Sequence, residues 1–283
     1  VGHSRRHHCR FKKYGSGKLA GDMRAGATFA ACALPHLLLR TAPPCVGRPA
    51  MLSYAVRPGE VDQAALAAVY ARFPVVADLA EGYVKALLKY NEGTNIYSQG
   101  AYGKLPFHIH DSLTLGALIA RAPGSVVDLG SGSGLPAVLV ALSNPGVSVW
   151  SVESKGRKTA FLRAVAAELQ ITNLHVLTIN IVELSRAQAF DVSYVTAKAF
   201  KPLNEVIPLA RKAIIARARL LVPVSEPQIA ELAGQKVLDP ATDLERIGEF
   251  TYFSRDIDAS DRRLGRTVVP AVHLLTDGGG GES

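Results

Sequence analysis

Residues 125–154 read SVVDLGSGSGLPAVLVALSNPGVSVWSVES, and this stretch decides the fold. Val126, Val127 and Leu129 form a short apolar run that Gly130, Gly132 and Gly134 break sharply, which predicts a buried strand ending in a tight turn. Leu135, Val138, Leu139 and Leu142 then recur at helical spacing until Asn144-Pro145-Gly146 stops them. Val147 to Val152 is β-branched and aromatic, a second strand with Glu153 at its carboxyl end.

A strand, glycine turn, helix and strand in that order form a ligand-binding unit, because a backbone free of Cβ atoms can approach a bound molecule closely. Glu153, about 20 residues past the turn, is placed to accept hydrogen bonds from ribose hydroxyls. A dinucleotide fingerprint wants glycine where Leu135 stands, and a phosphate loop wants Gly-Lys-Ser/Thr, which is absent. The pattern Asp128-x-Gly-x-Gly-x-Gly fits a nucleoside without phosphates, S-adenosylmethionine. A plain tight turn in some other α/β protein is the bland alternative.

Outward from this unit the pattern alternates. Three helices precede it, over about 60–73, 75–90 and 107–120, with 91–104 as a loop. After it come a helix over 155–170, strands over 174–179, 190–196 and 220–224, and a helix over 203–215. A closing antiparallel hairpin is expected, with strands at 248–254 and 267–275 joined by a charged turn over 256–266. Such alternation predicts a doubly wound, mostly parallel sheet. Its ligand edge, beyond the carboxyl ends of the strands, would hold Gly130 to Gly134, Glu153 and Ala197-Lys198.

The formal net charge of +8 is unevenly placed, since residues 1–50 carry nine Lys and Arg against one acid, Asp22. This Arg- and His-rich, acid-poor segment resembles an organelle transit sequence, a mitochondrial one ahead of a plastid one, and also suits an RNA-binding tail. The expected organisation is therefore a basic arm over 1–57, a helical subdomain over 58–122 and a catalytic domain over 123–283. Cys9, Cys32 and Cys45 all lie in the arm and give no disulfide framework, and His7, His8 and Cys9 lack metal-site spacing, so no metal is expected. No apolar run is long enough for a membrane span.

Taken together, the blocks resemble the RsmG (glucose-inhibited division protein B) family, which methylates N7 of a guanosine in small-subunit ribosomal RNA. The resemblance spans roughly residues 60–275. It rests on Tyr83 to Ser98, on His108-Ile109-His110-Asp111-Ser112, and on Asp128 to Pro136 with its specific Leu135-Pro136. Glu153-Ser154 with Gly156-Arg157-Lys158 and Phe161-Leu162 continue it, followed by Val182-Glu183, Phe190-Asp191 and Ala197-Lys198-Ala199.

The resemblance implies a class I, Rossmann-like S-adenosylmethionine-dependent methyltransferase. Asp128, Gly130, Ser131, Gly132, Gly134 and Leu135 would cradle the methionine part. Glu153 and Ser154 would serve the ribose, and Val182, Glu183 and Ala197 would border the rest of the cofactor, with Glu183 equally a helix cap. His108 and Asp111, three apart on one helix, would close over the cofactor or touch RNA, the other reading being a hydrogen bond between them. Lys198 would face RNA, against a plain exposed lysine at a strand end. It stands where the family has Arg, and the family's Leu-Lys-Gly is replaced by Val222-Pro223-Val224-Ser225. The partners implied are small-subunit ribosomal RNA and a ribosomal precursor particle. The alternative function is a catalytically impaired relative that serves as an assembly factor for the small subunit.

Overall fold

The computed structural model describes residues 59–183 and 189–259. The basic arm with its cysteines, and the strand expected at 267–275, lie outside the described residues. Each element follows from its apolar spacing. Helix α1 (Gln63–Arg72) begins where the Asp62 carboxylate accepts from the Ala65 N–H, and α2 (Ala77–Asn91) and α3 (Leu105–Ile119) follow it. The segment 91–104, expected as a loop, contains a 3-10 turn over Gln99–Lys104.

Strand β1 (Val126–Leu129) is buried on both faces, as a central parallel strand must be. Helix α4 (Ala137–Ser143), β2 (Val149–Glu153), α5 (Gly156–Glu168) and β3 (Leu174–Thr178) come next. The chain continues through β4 (Tyr194–Thr196), α6 (Leu203–Ala213), β5 (Arg217–Pro223), α7 (Glu226–Gly234), β6 (Leu244–Ile247) and β7 (Phe250–Asp258). The seven strands lie in the order β3-β2-β1-β4-β5-β7-β6. The first five are parallel, while β7 runs antiparallel to both β5 and β6. This is the doubly wound, mostly parallel sheet expected, and its order is that of the class I, Rossmann-like methyltransferase fold.

Successive side chains of a strand point to opposite faces, and two hydrophobic clusters result. Val126, Val149 and Leu221 join one cluster with α1 to α5, whereas Val127, Val152 and Leu220 join the other with α6 and α7. The helices preceding β1 therefore share a core with the sheet: Tyr83 of α2 and Phe161 of α5 are both fully buried and their rings tilt together at 6.3 Å.

Three expectations need correction. The strand placed at 190–196 is only Tyr194–Thr196, because Phe190 makes one isolated bridge to Ile214 and the ladder with β1 begins only at Tyr194. The strand expected at 248–254 is β7, which starts at Phe250 and runs on to Asp258 through the start of the expected charged turn, and it pairs with an unforeseen β6 across a turn that contains Gly248, at φ +59°. Helix α7 went unforeseen although Ser225 and Gln228 form a capping box at its start, with Pro227 in the first turn.

Candidate cofactor site

The carboxyl ends of β1, β2 and β4 are neighbours in the sheet, since Asp128 is in register with Ser151 on one side and Thr196 on the other. The glycine turn leaves β1 at this edge. Its first two N–H groups, of Gly130 and Ser131, both donate to the Val152 carbonyl at 2.8 and 3.1 Å, which ties the turn to β2. The Ser131 hydroxyl donates back to the Asp128 carbonyl, and the buried Tyr83 hydroxyl reaches from α2 to the Ser133 carbonyl at 2.9 Å. Burial pushes the Tyr83 hydroxyl far above its ordinary range, so it stays a donor. Leu135 is buried beyond the turn, and its bond to Pro136 is cis.

The glycines do different jobs. A Cβ on Gly134 would meet Val138 Cγ2 at 2.5 Å and Leu162 Cδ2 at 2.8 Å, so glycine there serves packing against α4 and α5. Gly132, at φ +58°, is open: a Cβ would find nothing nearer than the Gly130 carbonyl at 3.8 Å and Lys158 Nζ at 3.9 Å. The turn thus leaves room above the residue whose backbone can best approach a ligand.

Two acids flank this opening. Glu153 is buried, and its Oε2 accepts the Gly132 N–H at 3.0 Å while Oε1 accepts the Lys155 N–H at 2.8 Å and, at 3.4 Å, the Ser154 hydroxyl. A carboxylate has about four acceptor positions, so these three bonds orient Glu153 and leave roughly one for a ribose hydroxyl. Asp128 is wholly buried. Its Oδ1 accepts the Thr196 hydroxyl at 2.6 Å, whereas its Oδ2 has no partner. Desolvation raises the Asp128 carboxyl from 3.8 to about 6. A buried acceptor without a partner, an open glycine and an oriented carboxylate at one sheet edge fit a ligand with hydroxyl and ammonium donors, as the sugar and amino-acid parts of S-adenosylmethionine provide.

Lys198, His108 and Asp111 are brought together, though not as the sequence suggested. Lys198 Nζ lies 2.5 Å from Asp111 Oδ2 and donates to the His108 carbonyl at 3.3 Å. Their side chains are only 11% and 3% exposed, which overturns the picture of a free lysine at a strand end. The Tyr252 hydroxyl, from β7, donates to Asp111 Oδ1 at 2.9 Å and lies 3.0 Å from its carbonyl. His108 and Asp111 make no hydrogen bond with each other's side chains, and His108 Nδ1 is buried without a partner. Burial first, then the Lys198 charge, lower His108 from 6.5 to about 4 and hold the imidazole neutral. Its ring stands edge-on to Tyr97 and Phe107.

Ala197 is buried at the end of β4. Val182 and Glu183 lie past β3, where the Asn180 side chain accepts the Val182 N–H and the Asn180 carbonyl accepts that of Glu183. Glu183 is exposed there, within the helical residues 181–183, whose cap is Asn180. Among the described residues no cluster of His, Cys, Asp and Glu could hold a metal ion, and no helix is long and apolar enough to cross a membrane.

Sequence reasoning missed Tyr83, Thr196 and Tyr252. Only Thr196 carried a usable signal, since a hydroxyl at the last position of a strand beside β1 faces the β1 acid; the tyrosines act across 50 and 141 residues.

Residues 77–236 match the family described as rRNA small subunit methyltransferase G. A protein from Paracoccus denitrificans named ribosomal RNA small subunit methyltransferase G is 38% identical over 126 residues, covering 44% of this chain and 64% of that protein. One of the same name from Chromobacterium violaceum is 32% identical over 135 residues, covering 47% and 63%. Another, from Acidothermus cellulolyticus, is 34% identical over 179 residues, covering 58% and 76%. The chain therefore spans somewhat under two thirds of the first two relatives' length.

Proposed function

Because the chain belongs to the rRNA small subunit methyltransferase G family, we propose that it is an S-adenosylmethionine-dependent methyltransferase of small-subunit ribosomal RNA, with N7 of a guanosine as the acceptor. The observation that carries this reading is the open Gly132, with Glu153 fixed on its N–H and the unpartnered Oδ2 of Asp128 close by in sequence and sheet.

When bound, S-adenosylmethionine supplies an electrophilic methyl group. Guanine N7 carries a lone pair and no proton, so the protein needs no general base and acts by holding the two reactants in line. Gly132 and the turn would receive the methionine part, Glu153 would take a ribose hydroxyl, and Val182 would border the adenine. A neutral His108 and a lysine already met by Asp111 place no uncompensated charge beside the site. The Lys198 charge is used in a buried pair with Asp111, which supports this reading over that of a chain that has lost activity and serves only as an assembly factor.

The test is transfer of tritiated methyl from S-adenosylmethionine to unmodified small-subunit RNA and to precursor particles, with borohydride and aniline cleavage mapping N7. Incorporation by the wild type and none by Gly132→Asp is expected; incorporation at another atom would overturn the N7 assignment. The basic residues of 1–57 support an organellar location, a mitochondrion before a plastid, and imaging a fluorescent fusion of that segment checks it.

A further inference from the structure

The segment after β4 brings an aromatic ring onto the glycine turn. Ala199 adopts φ +49°, a conformation that residues with a Cβ rarely take, and the next residue is Phe200. Its ring covers Gly130: a Cβ there would lie 2.1 Å from Phe200 Cδ2, 2.7 Å from Cγ and 2.9 Å from Cε2. Gly130 is itself at φ +73°. The unfavourable conformation of Ala199 thus carries the ring onto a glycine that has no Cβ to oppose it, and such strain persists where surrounding structure enforces it, commonly at ligand sites.

The charges around the turn give the ring a task. Glu153 is occupied by N–H groups of the turn and of Lys155, and Asp128 lies wholly buried beneath it. On the open side, the nearest charged atom above Gly132 is the cation Lys158 Nζ. The free acceptor Asp128 Oδ2 suits the N–H and O–H donors of a ligand, whereas a sulfonium carries no such hydrogen and makes no hydrogen bond with either acid. The face of an aromatic ring carries the negative part of its quadrupole and attracts a cation, provided water is kept out. Phe200 is partly buried and backed by the cluster that includes Ala197 and Leu203.

We propose that the face of Phe200 at the Gly130 turn recognises the sulfonium of the cofactor, so that this site favours charged S-adenosylmethionine over the neutral thioether S-adenosylhomocysteine. The proposal rests on the reading of the turn as a cofactor site. It also gives product exchange a physical basis, since methyl transfer discharges the sulfur and removes the attraction.

Calorimetric titration of the full chain with each nucleoside tests this without reference to activity. Phe200→Leu and Phe200→Met keep an apolar side chain but lose the ring. Each is expected to weaken S-adenosylmethionine about three- to tenfold and S-adenosylhomocysteine less than about twofold. Phe200→Tyr keeps the ring and is expected to keep the wild-type ratio. Equal weakening of both nucleosides by Leu and Met, or tighter binding of both because the ring had blocked the turn, overturns the proposal while the cofactor site stands. A wild-type chain that binds neither nucleoside overturns the site and the proposal together.

Discussion

Lys198, at the end of β4, places its ammonium 2.5 Å from Asp111 Oδ2 on α3, with both side chains almost wholly buried. Removing one partner of such a pair leaves the other charge uncompensated, which costs far more than the pair contributes. Lys198→Ala is therefore expected to destabilise the fold by about 3–5 kcal/mol in urea titrations, and Lys198→Arg by much less. A loss near zero for Lys198→Ala would show that the pair is not made in solution.

Tyr252 completes that arrangement by donating to Asp111. Tyr252→Phe removes a hydrogen bond to a buried carboxylate and is expected to cost about 1.5–3 kcal/mol. In the Lys198→Ala background the same change should cost measurably less or more than alone, because both side chains act on one carboxylate. Strict additivity in the double-mutant cycle would contradict the shared contact.

The glycine turn offers a separation of folding from binding. Gly134→Ala forces a Cβ into Val138 and Leu162 at a positive φ and is expected to cost about 2–4 kcal/mol. Gly132→Ala meets no close atom, so its penalty is the backbone alone, about 1–2 kcal/mol. Thermal melting should rank the two variants in that order, while calorimetry with S-adenosylmethionine should show the greater relative loss for Gly132→Ala.

Asp128 and His108 pull the pH dependence in opposite directions. Asp128 titrates near 6 when folded against 3.8 when exposed, so the native state holds the extra proton between those values. Its contribution is full below about pH 4 and is lost as pH rises through 6. His108, lowered to about 4 from 6.5, does the reverse: the unfolded chain binds the proton, and stability is lost as pH falls from 6.5 toward 4. Relative to wild type, Asp128→Asn should make stability climb more steeply with pH across this window, and His108→Gln should make it climb less. Urea midpoints at pH 4.5, 5.5 and 6.5 check both slopes.

The fold was readable where local pattern and burial agree. The β1 turn, α4 and β2 declare themselves because an apolar strand, three glycines and a helical stripe follow one another within 30 residues. Strand β7 shows through the apolar and aromatic residues of 248–254, whereas β6 is four residues with no buried position and carries too short a pattern to read. Helix α7 is harder to read because it is nine residues long with Ile229 as its one buried side chain, so the capping box of Ser225 and Gln228 is its main local signal. In the site, the glycines and Glu153 announce themselves by spacing. The engagement of Lys198 by Asp111 does not, since it depends on α3 packing beside the end of β4, which no local pattern encodes.

The freedom above Gly132 has a practical consequence. A bulky acid there should abolish cofactor loading yet leave the packing contacts of Gly130 and Gly134 intact. A tagged Gly132→Asp chain would then be an intact decoy that docks on its natural target without modifying or releasing it by turnover. Sequencing the nucleic acid it retains from cells would name that target directly.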